Sequence, residues 1–333
     1  MIVLTNCLAG RDDEGSLKVA KRLISAVKKA GSNVKVITYE HSTSAEKADF
    51  HLNKAMLNSR LARFLLRSKE DVLFVPQYAR MLPTGIRIRV LSLLCRGRLR
   101  VLLPMLPKFH WLGAWLIRQS GAELIVLSKQ SETELKERFP NRITYLKAGV
   151  DPERFHAVET DAKIELRRKY RLPADKKIVL HVGHMKFGRN LEKLLLIDEA
   201  FHVLLVTSTT TAAYKDAELE AKLRNMPNLT IIDEYLPNIE ELYQLADVYL
   251  FPVVAERNCI DIPLSAFEAA ACNIPVVCTP YGELKEMAGQ DGFTFIDEFD
   301  TLNERLYAAV SQGGQPRETV IDYDWKHAAA SLL

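Results

Sequence analysis

Short runs of Val, Ile and Leu alternate with longer amphipathic stretches along the whole 333-residue chain, and this alternation constrains the fold more than any other feature. A strand, a helix and a second strand in succession make a βαβ unit, which lays strands parallel and covers both faces of the sheet with helices. In the first half the pattern predicts strands at 2–6, 33–38, 72–75, 100–103 and 124–127, with helices at 16–30 and 57–66. After Pro173 a second series predicts strands at 177–182, 201–206, 229–232, 248–251, 275–278 and 292–295, with helices at 212–223, 239–245 and 265–272. No internal repeat accompanies the two series. With 48% hydrophobic and 26% charged residues the chain has apolar mass for two cores, so two domains of about 150 residues are expected. The boundary falls between Gly149 and Leu172. We take it as 1–155 and 156–333, the last helix being free to pack back on the first domain.

Net charge is +3, too small to point to nucleic acid, but it is unevenly spread. No acidic residue lies between Asp71 and Glu123, while Arg80, Arg87, Arg89, Arg96, Arg98, Arg100, Lys108 and Arg118 all fall there. Leu91, Leu93, Leu94, Leu102, Leu103, Trp111, Leu112 and Trp115 are interleaved with them. The mixture predicts either a peripheral contact with anionic lipid or a solvated face over core leucines. Five cysteines without CxxC spacing indicate neither a disulfide framework nor a zinc site and fit a reducing cytoplasm. The N-terminus opens directly on a strand-like run with no leader pattern. The most apolar stretch, Val101 to Ile117, is broken by Pro104, Pro107 and Lys108, short of the roughly 20 residues that span a bilayer.

The segment Leu180-His181-Val182-Gly183-His184-Met185-Lys186-Phe187-Gly188-Arg189-Asn190-Leu191 reads as a strand, a glycine-containing loop and a helix. Gly183 and Gly188 allow an anion close to the backbone, the helix offers free N–H groups, and Lys186 and Arg189 supply charge.

Further on, Ala246-Asp247 and Pro252 are followed by Phe267-Glu268-Ala269-Ala270-Ala271-Cys272 and Pro275-Val276-Val277. This resembles the nucleotide-sugar signature of the retaining family-4 glycosyltransferases of GT-B fold. Leu124 to Ser128, Lys147 to Phe155, and Thr279-Pro280-Tyr281-Gly282 with Glu286 resemble other segments of that family in the same order. The resemblance implies an α/β chain of GT-B type, two facing Rossmann-like doubly wound domains with a cleft between them. It assigns the acceptor to the N-terminal domain and the nucleotide sugar to the C-terminal one.

By the same resemblance Glu268 binds the ribose hydroxyls, and Gly183, His184 and Gly282 belong to the donor site. The family carries an arginine at the position of His184 and a lysine at that of Arg189. A histidine is largely neutral at pH 7, so Lys186 and Arg189 are the expected catalytic cations. The first glutamate of the family's pair falls at Ile260, which leaves Asp261 or Glu256 as the contact to the sugar. Gly10, Gly15 and His110 are the acceptor-side candidates.

The implied reaction transfers a sugar from a UDP- or GDP-sugar to a glycan, lipid-linked or small-molecule acceptor with retention of configuration and no cofactor. No metal is expected, because the Asp-x-Asp match, Asp322-Tyr323-Asp324, lies far in sequence from the donor segments. The rivals are a catalytically silent nucleotide-sugar-binding subunit and an epimerase of the same fold. A nicotinamide dehydrogenase is disfavoured, since no GxGxxG follows either first strand.

Overall fold

The computed structural model describes all of the chain except residues 6–7, 9–13, 32, 39–49, 52–58, 77–80, 186–187, 208–215 and 256–258. It divides into two compact units. One comprises Met1–Ala148, Ile260–Ile262 and Trp325–Leu333; the other comprises Gly149–Cys259 and Pro263–Asp324.

The N-terminal unit runs β1 (Ile2–Thr5), α1 (Gly15–Lys29), β2 (Lys35–Thr38), β3 (Phe50–His51), α2 (Ser59–Arg67), β4 (Val72–Val75), α3 (Met81–Leu94), β5 (Leu99–Leu103), α4 (Trp111–Arg118), β6 (Glu123–Val126), α5 (Lys129–Arg138) and β7 (Ile143–Tyr145). Its seven strands pair in the order β3-β2-β1-β4-β5-β6-β7, parallel throughout. Strands β1, β4 and β5 are buried at every position, as a parallel sheet covered on both faces requires.

The C-terminal unit runs α6 (Thr160–Lys169), β8 (Lys177–Gly183), β9 (Phe201–Thr207), α7 (Ala217–Arg224), β10 (Leu229–Ile232), α8 (Glu240–Leu245), β11 (Val248–Phe251), α9 (Leu264–Ala271), β12 (Val276–Cys278), β13 (Phe293–Phe295), α10 (Leu302–Gln312) and α11 (Pro316–Val320). The last helix, α12 (Trp325–Leu332), belongs to the N-terminal unit, where it packs on α1. Six parallel strands pair in the order β10-β9-β8-β11-β12-β13.

Two helices show how composition sets packing. In α9 the run Ala269-Ala270-Ala271 is buried together with Phe267, and the chain leaves the helix through Asn273 at φ +61°, a left-handed turn that asparagine tolerates. Helices α3 and α4 meet through Gly85 and Gly113. A Cβ on Gly85 would lie 2.5 Å from the Gly113 carbonyl oxygen, and one on Gly113 would lie 2.5 Å from that of Met81, so the two backbones touch.

That close packing redistributes the basic, leucine-rich stretch. Leu91, Leu102 and Leu103 are core residues, and Arg100 is buried with them, donating to the Leu332 carbonyl oxygen at 2.6 Å. Arg98 pairs with Asp71 at 2.8 Å, and Arg118 donates to the Arg138 carbonyl oxygen at 2.9 Å. Arg100 is thus interior and not part of a solvated face; Arg80 lies outside the described residues. Among the residues that α3, α4 and their connections leave exposed are Ile86, Leu93, Arg96, Lys108, Phe109, Trp111, Trp115 and Arg118.

Candidate functional site

The order of the C-terminal sheet reverses between β8 and β11, the place where open parallel sheets bind ligands beyond their carboxyl ends. The ladder between these strands holds Val179 to Val248 and Leu180 to Tyr249. Just beyond it the His181 ring reaches across, with Nδ1 2.8 Å from the Leu250 carbonyl oxygen. A carbonyl only accepts, so Nδ1 carries the proton and Nε2 a lone pair. Full burial, assisted by the nearby Arg189 charge and opposed by the Leu250 hydrogen bond, holds the imidazole down at about 4. His181 is therefore neutral at physiological pH.

Gly183 follows two residues later. A Cβ there would lie 2.9 Å from His181 Nε2 and 3.8 Å from Arg189 Nη1, so the position has little room for any side chain. Arg189 is only 6% exposed, and among the described residues its Nε has no hydrogen-bond partner. A buried guanidinium with a free donor is costly unless a ligand completes it. His184 is half-buried, Gly188 turns through φ +80°, and Lys186 lies outside the described residues.

The expected helix after this loop is corrected. Asn190 takes a left-handed φ of +57°, and Leu191–Leu196 is a six-residue 3-10 helix. A segment so short contributes little dipole, which leaves Arg189 as the principal positive charge among the described residues of the loop.

Glu268 lies on α9, 2% exposed, and its Oε2 accepts from the Tyr243 hydroxyl at 3.1 Å. Tyr249 packs between the two parts of the site. Its ring stacks on His181 at 6.2 Å and lies 6.1 Å from that of Tyr243, and its hydroxyl is 2.7 Å from Ser265 Oγ in the first turn of α9. Burial pushes both phenols above their ordinary range, so both remain hydrogen-bond donors at any physiological pH. Gly282, at φ +51°, opens the 3-10 helix Gly282–Met287, in which Glu283 is buried and accepts from the Tyr323 hydroxyl at 2.7 Å while Glu286 is exposed.

Sequence reasoning passed over His181, Tyr243, Tyr249 and Ser265. A histidine inside an otherwise apolar strand was the available signal for the first; the others are invisible until helices α8 and α9 meet β11.

Asp261 belongs to the N-terminal unit. It is buried, its Oδ2 accepts from Ser131 Oγ at 2.5 Å, and its N–H donates to the Pro104 carbonyl oxygen at 2.8 Å. Gly15 is the first residue of α1, where a Cβ would come within 3.0 Å of Ile260 Cδ1. His110 caps α4, Nδ1 accepting from the Gly113 N–H at 3.4 Å, so its ring serves the helix terminus. Gly10 and Glu256 lie outside the described residues. Among the described residues no group of His, Cys, Asp or Glu is arranged to hold a metal ion, and no helix is long and apolar enough to cross a membrane.

Residues 176–312 match the family "Glycosyl transferases group 1". TuaC of Bacillus subtilis (strain 168), named as a teichuronic acid biosynthesis glycosyltransferase, is 23% identical over 173 residues, which are 51% of this chain and 42% of that protein. The chain thus matches less than half the length of that relative. Among solved structures, Anabaena Alr3699/HepE in complex with UDP aligns with a TM-score of 0.79 at 13% identity, covering 99% of this chain and 97% of that one. Sucrose-phosphate synthase from Thermosynechococcus elongatus aligns at 0.76 and 18% identity, covering 99% and 96%. The two parallel sheets with flanking helices are those of the GT-B fold.

Proposed function

We propose that the chain is a glycosyltransferase that moves a sugar from a nucleotide-diphosphate donor to a glycan, lipid-linked or small-molecule acceptor with retention of configuration. One observation carries the reading: the buried, incompletely bonded Arg189 guanidinium at the switch point of the C-terminal sheet, inside the segment that matches the group 1 glycosyl transferases. In the transfer the bond from the anomeric carbon to the diphosphate oxygen breaks and its electron pair stays on the phosphate. The acceptor oxygen bonds to that carbon on the same face and gives its proton to the departing phosphate. Arg189, with Lys186, opposes the negative charge that grows there. Glu268 takes the ribose hydroxyls, for which a carboxylate is a twofold acceptor. The HepE complexes with UDP and UDP-glucose support UDP-sugars as the first donors to try.

A panel of UDP- and GDP-sugars, read by thermal stabilisation and by slow hydrolysis, tests the reading. At least one donor should raise the melting temperature and be hydrolysed. Stabilisation without hydrolysis or transfer would leave a nucleotide-sugar-binding subunit.

The exposed aromatic face of α4 and the loop before it supports a peripheral contact with anionic lipid, through which a lipid-linked acceptor would be reached. Trp111, Trp115 and Phe109 are 71%, 51% and 52% exposed, and Lys108, Arg118 and Arg138 are exposed around them. Aromatic side chains at a basic surface suit the headgroup layer. Flotation with vesicles containing anionic lipid at low salt should recover the wild-type protein and not Trp111→Ala/Trp115→Ala. Wild-type protein that stays at the bottom of the gradient removes the membrane contact.

A further inference from the structure

Three buried polar atoms without a hydrogen-bond partner among the described residues converge on one spot of the C-terminal sheet: Arg189 Nε, His181 Nε2 and Thr207 Oγ1. The ladder explains the convergence. Thr207, the last residue of β9, pairs with Gly183, the last of β8, so its side chain stands on the sheet beside that glycine. His181 is two residues before Gly183, and alternation puts it on the same face. Buried polar atoms are nearly always bonded, so three orphans around one glycine suit a place where a bound group completes the hydrogen bonding.

Their chemistry states what that group is. Arg189 Nε–H and the Thr207 hydroxyl are donors, which suits phosphate oxygens. His181 Nε2 is an acceptor, and it lies on the side of Gly183 approached by Arg189 Nη1, the guanidinium nitrogen that points away from the Nε edge.

We propose that Thr207 is a direct contact to the donor's diphosphate and that His181 is a positioning residue, its Nε2 accepting from Arg189 Nη1 so that the Nε edge of the guanidinium is turned to the anion. The inference rests on the donor-site reading above and adds two residues to it. Neither makes or breaks a covalent bond. Both hold the phosphate at a fixed place while its charge grows.

The test is calorimetric binding of UDP and GDP, with uridine and guanosine as phosphate-free controls, to Thr207→Val, Thr207→Ser, His181→Phe and His181→Gln. Thr207→Val should bind the diphosphate roughly tenfold more weakly and the nucleoside unchanged, while its unliganded melting temperature does not fall, because the valine removes an orphaned buried hydroxyl. Thr207→Ser should restore affinity. His181→Phe should lose diphosphate affinity in the wild-type background but nothing further in Arg189→Ala, and His181→Gln, which offers an amide acceptor, should recover part of it. If His181→Phe does not fold, the threonine pair decides.

Equal UDP and GDP affinity in Thr207→Val and wild type overturns the inference and leaves the donor reading standing. Parallel loss of nucleoside and diphosphate binding assigns these residues a packing role and also overturns it. Wild-type protein that binds neither diphosphate overturns the donor reading and this inference together.

Discussion

Glu268 and Arg189 are both buried ionisable side chains, yet the proposed donor site sets them different demands on one nucleotide, and their removal should leave different kinetic traces. Ribose does not change charge during transfer. Glu268→Gln should therefore raise the donor KM by an amount worth about 1 to 3 kcal/mol, with a modest change in kcat. The diphosphate gains charge in the transition state, so Arg189→Ala should depress kcat on the order of a hundredfold. Steady-state kinetics on folded variants separate the two, and unchanged parameters in both would remove the donor site from these residues. Glu268 was singled out by its motif and Arg189 by its place after the glycine, and both side chains are buried. The Tyr243 hydroxyl that holds Glu268 was not legible in the sequence, because it comes from the preceding helix, α8, and only packing brings it there.

At the scale of the element, strands were the readable part. Val248–Phe251 and Leu229–Ile232 stand where the apolar runs predict them, because a strand buried on both faces leaves a continuous hydrophobic signature. Helix α3 escaped the reading. Pro83 and Gly85 punctuate its first turns, and its arginines drew attention instead; yet a proline is tolerated in a first turn, and Gly85 is what allows α4 to approach. The sequence Leu191 to Leu196 has helical spacing of leucines but folds as a 3-10 segment between the left-handed Asn190 and Ile197.

Asp247, read from sequence as part of a nucleotide-sugar signature, proves to be an anchor. It pairs with Lys163 at 2.9 Å and Arg167 at 2.5 Å on α6 and accepts from the Ile178 N–H at 2.7 Å, tying a helix to the base of β8. Burial works to raise its pKa, but Lys163, the Ile178 N–H and Arg167 together outweigh it and hold the carboxyl below its ordinary value. Burial also lowers Lys163, in spite of Asp247. A depressed carboxyl stabilises the fold above its unfolded pKa of about 3.9, and the contribution is lost as pH falls through the folded value. Asp247→Asn should cost about 3 kcal/mol at neutral pH. The gap between wild type and variant in thermal melts should close below about pH 4; a gap constant from pH 7 to pH 3 would contradict the ionic role.

For the whole molecule, the paired series of strands announced two parallel sheets. What pattern alone does not disclose is that the N-terminal unit is assembled from three separate pieces of chain, ending with Trp325–Leu333. Trp325, Ala328, Ala329 and Leu332 are buried, and the Leu332 carbonyl oxygen takes the hydrogen bond of the buried Arg100 guanidinium. Removing residues 325–333 leaves that guanidinium without its carbonyl and the α12-facing side of α1 bare. The N-terminal unit should then lose about 3 to 5 kcal/mol, seen in calorimetry as a transition about 10 °C lower. An unshifted transition would show that α12 is dispensable.

This closing role of α12 bears on how the chain is made. Domains emerging from a ribosome usually fold in the order of their synthesis, but here the first unit to emerge is the last to be finished. Its final helix is translated only after the entire second unit, on the order of ten seconds or more later. Until then the nascent first unit carries an uncovered α1 face and an internal arginine that lacks its carbonyl partner and keeps only the Asp71 ion pair, at 3.6 Å. The C-terminal unit is complete at Asp324, before Trp325–Leu333 has been made, so translation that stalls between them yields a formed C-terminal unit joined to an unclosed N-terminal one.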